Sequence, residues 1–197
     1  RPEIHFGVVA LASEVTFWSA ACDRRLRHLF GYISGALDNG ILIRAPEGYV
    51  HGGKVKVVSY SDADHAGCLR TRRSTSGWCV FAGGARGAHG LAALFDWGCR
   101  KQTAVALSSA ESETIAIVDC TTRSVLPAIS FFEDTLRLEV SHEHLADNDA
   151  ARIGAQSGAS SALRYMRKHQ GISLSFLRDR FGEEGPSTIL RVATELN

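Results

Sequence analysis

Apolar residues along this chain change their spacing, and the changes mark its elements. Trp18, Cys22, Leu26, Leu29, Phe30 and Ile33 recur at intervals of three and four, which predicts one helix over 15–36. Gly35 and Asp38-Asn39-Gly40 end it, and residues 40–43 read as a short strand. Pro46-Glu-Gly48 and Gly52-Gly53 form the clearest linker, so the chain divides into segments 1–50 and 51–197. Beyond it the pattern turns to strands. Val55, Val57 and Val58 run into Tyr60-Ser-Asp62, Trp78 to Phe81 form a second strand, and Ala93 to Cys99 a third. The Ala/Gly-rich stretch 82–90 reads as a long hairpin loop.

The strongest helical signal covers Ser108 to about Leu126. Ser108-x-x-Glu111 has capping-box spacing, in which each side chain serves a backbone N–H of the first turn. Pro127 then predicts a kink or break before the pattern resumes at Phe131, Phe132 and Leu136. Residues 143–147 read as a strand, Asn148 or Asp149 as a helix start, 161–181 as a helix and 188–192 as a last strand. Three early strands followed by alternating helices and strands predict an α/β protein with a mixed sheet.

Composition narrows the function classes. At 197 residues, 45% hydrophobic and 22% charged, the chain is long enough for a sizeable core. A net charge of +1 gives no global field toward a polyanion, so any nucleic-acid contact rests on local patches. No apolar run reaches the ~20 residues of a membrane span. Arg1 stands where an initiator Met or a signal peptide would, which leads us to expect a piece of a longer chain. The five cysteines are odd in number, widely spaced and without a C-x-x-C pair, as expected of free thiols in a reducing compartment. His142-Glu143-His144 alternates on a strand with no further ligands nearby, and reads as surface histidines rather than a zinc site.

The chemistry falls to acids at element ends. Asp62 closes the first strand of the second segment, Glu113 lies one turn into the capped helix, and Asp147 closes the strand 143–147. Each alone is an ordinary turn or cap residue. Glu111 and Glu113 point about 200° apart on a helix. With Glu111 used in the cap, Glu113 is left to turn toward the sheet. Three acids converging from separate elements repel one another unless cations compensate them, and hard oxygen donors suit Mg²⁺ or Mn²⁺.

These residues resemble a known family. Tyr60-Ser-Asp-Ala-Asp-His-Ala-Gly67, Thr71-Arg-Arg-Ser-Thr-Ser-Gly77 and Cys79-Val-Phe81 are similar to the opening of the ribonuclease H domain in copia-type LTR retrotransposon polyproteins. Lys101-Gln102, Leu107-Ser-Ser-Ala-Glu-Ser-Glu113, Ala146-Asp-Asn148 and Arg167-Lys-His169 continue it in order. Upstream, Arg27 to Gly35 and Asn39 to Leu42 resemble the segment connecting reverse transcriptase to that domain. The likeness covers about residues 15–194.

The resemblance implies a ribonuclease H-like α/β fold: a five-stranded mixed sheet flanked by helices, preceded by a helical N-terminal segment. It implies Asp62, Glu113 and Asp147 as catalytic metal ligands for two Mg²⁺ or Mn²⁺ ions. Asp62 would bridge both, Glu113 would serve the leaving-group side and sense the ribose 2′-OH, and Asp147 would hold the hydroxide-forming ion. The substrate implied is the RNA of an RNA/DNA hybrid. The partner implied is the upstream reverse transcriptase, with no membrane, and the place is the cytoplasm, in virus-like particles there, or the nucleus.

The chain also departs from the family pattern. The fourth family carboxylate is expected beyond Asn197, Lys168-His169-Gln170-Gly171-Ile172 lacks an acid, His65 replaces a Trp and Asp149 a Gln. Arg70, Arg72 and Arg73, and Arg167, Lys168 and His169 within the basic run 164–180, are the candidate phosphate contacts. An ordinary loop and a solvated helix face explain them equally well. Two readings stand at this point: a metal-dependent nuclease, and a silent module that keeps the fold. In the fragment, apolar residues of the first segment such as Trp18 and Phe30 are expected to stay partly exposed.

Overall fold

The computed structural model describes residues 1–41, 53–83, 92–159 and 168–192, with side chains omitted at 92 and 168–172. The chain forms two compact units, Arg1–Ile43 and Arg44–Asn197. Gly40 and Ile41, the described part of the strand expected at 40–43, are not in a strand; residues 42–43, most of the linker, the loop 84–91 and residues 161–167 of the expected helix lie outside the described residues.

The first unit holds two helices, α1 (His5–Ala12) and α2 (Ala20–Gly35). The single helix expected over 15–36 starts later, because Trp18 and Ser19 are extended and Val15–Phe17 is one 3₁₀ turn. The Trp18 indole donates to Asp23 Oδ1 at 2.8 Å, across the start of α2. The sequence HFGVVALA of α1 is apolar on all sides, so periodicity gave no sign of it. Leu11 and Cys22 are buried, while Phe6, Phe17, Trp18 and Phe30 are exposed.

In the second unit a five-stranded mixed sheet has the order β3-β2-β1-β4-β5. Its strands are β1 (Lys54–Asp64), β2 (Thr75–Gly83), β3 (Ala92–Lys101), β4 (Glu139–Ala146) and β5 (Ser187–Arg191). β1, β2 and β3 are antiparallel neighbours, whereas β4 lies parallel to both β1 and β5. This is the α/β architecture that the resemblance implies: a five-stranded mixed sheet, three antiparallel strands followed by two parallel ones, with helices against it. Burial alternates along β1 and β2 because a strand's side chains point to opposite faces. Val55, Val57, Trp78 and Val80 form one buried cluster with Cys120, Val125, Ala128, Ile129 and Phe132 of the helical stretch after β3.

That stretch is α3 (Ser109–Cys120), α4 (Leu126–Ser130) and two π-helical turns, Thr121–Val125 and Phe131–Thr135. Of the kink or break expected at Pro127, the break does not occur: the helical path is continuous, with a π-helical turn just before the proline. The Leu126 N–H reaches back five residues to the Thr121 carbonyl, so the helix widens just before the residue whose ring and missing N–H would disrupt a regular turn. The whole run, Ser109–Thr135, is long and apolar enough to cross a membrane by length and composition. Its apolar face is instead spent on the sheet, with the Trp78 indole donating to Ser124 Oγ at 2.7 Å. Gly98 lies against that indole, where any Cβ would overlap the ring. A second cluster joins Ile117, Ala146 and Ile189 to Ala151 and Ala155 of α5 (Asp149–Ser157) and to Leu177 and Phe181 of α6 (Lys168–Phe181).

His142 and His144 are buried, which corrects the expectation that they lie on the surface. Two residues apart on β4, they share one face, and that face is the one covered by α6. A ladder of hydrogen bonds satisfies them. Ser59 Oγ meets His142 Nε2 at 2.9 Å and His144 Nδ1 at 2.7 Å, Ser187 Oγ meets His142 Nδ1 at 2.9 Å, and Ser61 Oγ meets His144 Nε2 at 3.2 Å. Burial pushes both imidazoles down to about 3, so they are neutral in the folded protein.

Because the unfolded chain binds protons at these histidines near pH 6.5 and the folded chain does not until about pH 3, their contribution to stability is lost as pH falls through that window. We expect the melting temperature of the parent to drop between pH 6 and 4 more steeply than that of a His142→Leu/His144→Leu variant, as measured by circular dichroism.

Candidate metal centre

The three acids singled out in the sequence meet at one end of the sheet. β1 and β4 are parallel neighbours with Tyr60 level with Leu145, so Asp62 and Asp147, each two residues further on, emerge side by side. Ligands of open α/β sheets bind in this position, beyond the carboxyl ends of parallel strands. α3 brings the third acid. Ser108 Oγ accepts from the Glu111 N–H at 3.2 Å, and Glu111 Oε2 accepts from the Leu107 N–H at 2.6 Å, one residue earlier than a standard capping box. With Glu111 held in the cap, Glu113 faces the end of β1 and accepts from the Ala63 N–H at 3.2 Å.

One carboxylate oxygen from each of Asp62, Glu113 and Asp147 lies within 4.8 Å of the others. Asp62 is exposed, Asp147 half-buried and Glu113 buried, so the cluster opens to solvent on one side. Burial, then the charges of Asp62 and Asp147, push the Glu113 carboxyl up to about 8, against the pull of the Ala63 N–H. The donor set fits hard divalent cations. All donors are carboxylate oxygens, their spread is that of ligands shared by one or two such ions, and the repulsion raising Glu113 is what a cation would relieve.

The loop between β1 and β2 is tightly tied. Asp64 accepts from the Thr75 N–H, Ala66 N–H donates to Ser74 Oγ at 3.0 Å, Cys68 N–H to the Arg73 carbonyl at 3.2 Å, and Arg72 N–H to the Cys68 carbonyl at 2.6 Å. Ala66 and Arg72 have positive φ, and Gly67 passes so close to the Asp64 carboxylate that a Cβ would overlap it. Arg70, Arg72 and Arg73 are exposed on this loop. Lys101 Nζ donates to Cys68 Sγ at 2.8 Å, and that bond, with help from Thr71, pulls the Cys68 thiol down to about 6. The sequence offered no sign of this pairing, since Cys68 and Lys101 lie on different elements.

The second basic group is less complete. Arg167 and the side chains of Lys168 and His169 lie outside the described residues, Lys168 being the first residue of α6. Arg178 is exposed, but Arg180 turns inward, its Nε buried without a partner among the described residues. Asn148 caps α5 by accepting from the Ala151 N–H at 3.0 Å, and Asp149 is engaged by Arg152 and Arg191, each at 3.2 Å.

No protein-family model matches the chain. It is 33% identical over 128 residues to the secreted RxLR effector protein 161 of Plasmopara viticola, covering 64% of this chain and 78% of that protein. Over 118 residues it is 30% identical to the uncharacterized mitochondrial protein AtMg00810 of Arabidopsis thaliana, covering 59% of this chain and 43% of that protein. Over 195 residues, 98% of its length, it is 26% identical to the retrovirus-related Pol polyprotein from transposon RE2 of the same plant, of which it spans 12%. Among solved structures, ribonuclease H1 from Halobacterium salinarum NRC-1 is similar with a TM-score of 0.45 and 15% identity, over 72% of this chain and 88% of that one.

Two outcomes are expected. Without divalent ions the folded protein keeps a proton on Glu113 that the unfolded chain loses near pH 4.5, so Glu113's contribution to stability disappears as pH rises to about 8. Glu113→Gln should flatten that part of a melting-temperature profile, and Mn²⁺ should raise the parent's melting temperature more at pH 8 than at pH 6. Iodoacetamide labelling read by mass spectrometry should find Cys68 half-maximally reactive near pH 6, ahead of the half-buried Cys79 and Cys99, whose thiols burial pushes up, and Lys101→Met should move that midpoint toward the ordinary thiol value of about 8.5.

Proposed function

We propose that this chain, similar along nearly its whole length to retrovirus-related Pol polyproteins of transposons, is a copia-type ribonuclease H-like domain that cleaves the RNA strand of RNA/DNA hybrids with divalent metal ions. The observation that carries this reading is the convergence of Asp62, Glu113 and Asp147 from β1, α3 and β4 to within 4.8 Å. Nothing in the core needs three mutually repelling carboxylates at the rim of a sheet.

In this reading Asp62, the most exposed of the three and central in the sheet, would hold divalent ions such as Mg²⁺ or Mn²⁺ together with Glu113 and Asp147. Bound there, such ions supply a water activated for in-line attack on the RNA phosphodiester and charge to stabilise the departing 3′ oxygen. The protein's own residues align and exclude. The Ala63 N–H aims the Glu113 carboxylate, whose free edge faces the ribose 2′-OH that separates RNA from DNA. Arg70, Arg72 and Arg73 hold phosphates of the hybrid from the rigid β1–β2 loop, without reading sequence. Arg167, Lys168 and His169 are proposed to extend that contact. The helical unit Arg1–Ile43 is proposed as the connection to an upstream reverse transcriptase of the same polyprotein. The place of action proposed is the cytoplasm, in virus-like particles there, or the nucleus.

A hybrid-cleavage assay with Mg²⁺ or Mn²⁺ tests the reading. Asp62→Asn, Glu113→Gln and Asp147→Asn should each lower cleavage by about 100-fold or more, since such ions contribute several kcal/mol and each 1.4 kcal/mol is a factor of ten. EDTA should abolish it. Undiminished cleavage by Asp62→Asn removes the assignment, and a folded parent that never cleaves is a silent module. The double change Arg72→Ala/Arg73→Ala should weaken hybrid binding at every sequence and reduce the slope of log affinity against log salt by about 2.

A further inference from the structure

Gln102 is a glutamine in an unexpected place. It follows the last residue of β3 and is only 2% exposed, yet its side chain is not fully satisfied. Nε2 donates to Ser76 Oγ at 3.0 Å and to the Ser112 carbonyl at 2.9 Å, and the backbone N–H donates to the Ser74 carbonyl at 2.8 Å. Its Oε1 is buried without a partner among the described residues. The amide cannot be turned to relieve this, because the Ser112 carbonyl only accepts and demands the NH₂ end.

The two anchors are not arbitrary positions. The Ser112 carbonyl belongs to the peptide group whose nitrogen is that of Glu113, so Gln102 holds the plane immediately before the acid. Ser76 lies opposite Ala63 on β1, and Ala63 is the residue whose N–H donates to Glu113 Oε1. Gln102, Ser76, Ala63, Glu113 and Ser112 therefore close a ring of contacts running from β2 through β1 to the first turn of α3. A backbone helix carbonyl already serves its own ladder; the additional donor from Gln102 tethers that turn to the sheet.

We propose that Gln102 is a positioning residue for Glu113: its amide, clamped between Ser76 Oγ and the Ser112 carbonyl, sets the rotation of the first turn of α3 so that the Glu113 carboxylate faces Asp62 and Asp147. The inference rests on the reading of these acids as a metal centre. The orphaned Oε1 gives it an unusual signature. An apolar side chain of the same length removes this buried acceptor without a donor but takes the donor from the buried Ser76 Oγ; the two effects offset, so stability should hold and the loss should show in the site.

The test compares Gln102→Met with the parent in three measurements: melting temperature, Mn²⁺ affinity by calorimetry, and hybrid cleavage. The expected result is an unchanged melting temperature, an Mn²⁺ dissociation constant raised about tenfold, and kcat reduced about 10–100-fold with KM for hybrid unchanged, the range seen when groups that orient a metal ligand are removed. Ser76→Ala, which removes one anchor and leaves the Ser112 contact, should give a smaller loss of the same kind, and it carries the comparison alone should Gln102→Met not fold. Parent-like Mn²⁺ affinity and kcat in these variants overturn the inference, as does a loss that only follows falling stability. A parent that binds Mn²⁺ but leaves hybrid intact refutes the proposed cleavage while the affinity comparison still decides Gln102. A parent that binds no Mn²⁺ overturns the metal reading and this inference with it.

Discussion

Three carboxylates held within 4.8 Å of one another, one of them buried, are the constraint around which the second unit is organised. Left to themselves they would swing apart into solvent. Each is instead delivered by an element that cannot move independently: Asp62 by the central strand, Asp147 by the strand parallel to it, and Glu113 by a capped helix packed across both. The electrostatic strain is visible in the Glu113 carboxyl, which burial and the two aspartates push up to about 8. A fold that concentrates like charge at a solvent-open rim does so against its own stability, which marks the cluster as a candidate functional site.

The rest of the core reads as the support for that concentration. The parallel register of β1 and β4 decides whether Asp62 and Asp147 emerge together, and the serine–histidine ladder runs directly across that pairing. A shift of one residue would turn His142 and His144 outward and leave Ser59 without partners in the core. Buried polar groups of this kind specify one alignment more sharply than the valines beside them, which would pack nearly as well after a slip. The π-helical turns around Pro127 serve the same end, letting one helical path follow the sheet from Ser109 to Thr135.

Around the acids, neighbouring groups divide the labour by charge. The β1–β2 loop, locked by the Asp64 carboxylate and by the Ala66 and Cys68 backbone N–H groups, carries exposed arginines on the stretch that follows Asp62. The same loop contains the one thiol drawn down by a lysine, Cys68. Arg180, counted with the basic residues in the sequence, is turned inward instead and belongs to the packing of α6.

What the chain's own sequence determined was local. Alternation in β1 and β2, the Ser108–Glu111 cap, the turn of Glu113 away from that cap, and the identity of the three acids were all legible from spacing within a few residues, or from motifs standing in family order. What only the tertiary structure decided was non-local. The all-apolar α1 had no period to read, and the break at Pro127 disappeared because a wide turn could be accommodated against the sheet. The histidines of β4 were misjudged because strand parity shows that two residues share a face but not which face the helices cover. The tether from Gln102 to Ser112, and the pairing of Lys101 with Cys68, join groups on separate elements. Short-range rules act through neighbouring dihedrals and stop after a turn or two; convergence of side chains from distant elements depends on register and packing that no stretch of sequence contains on its own.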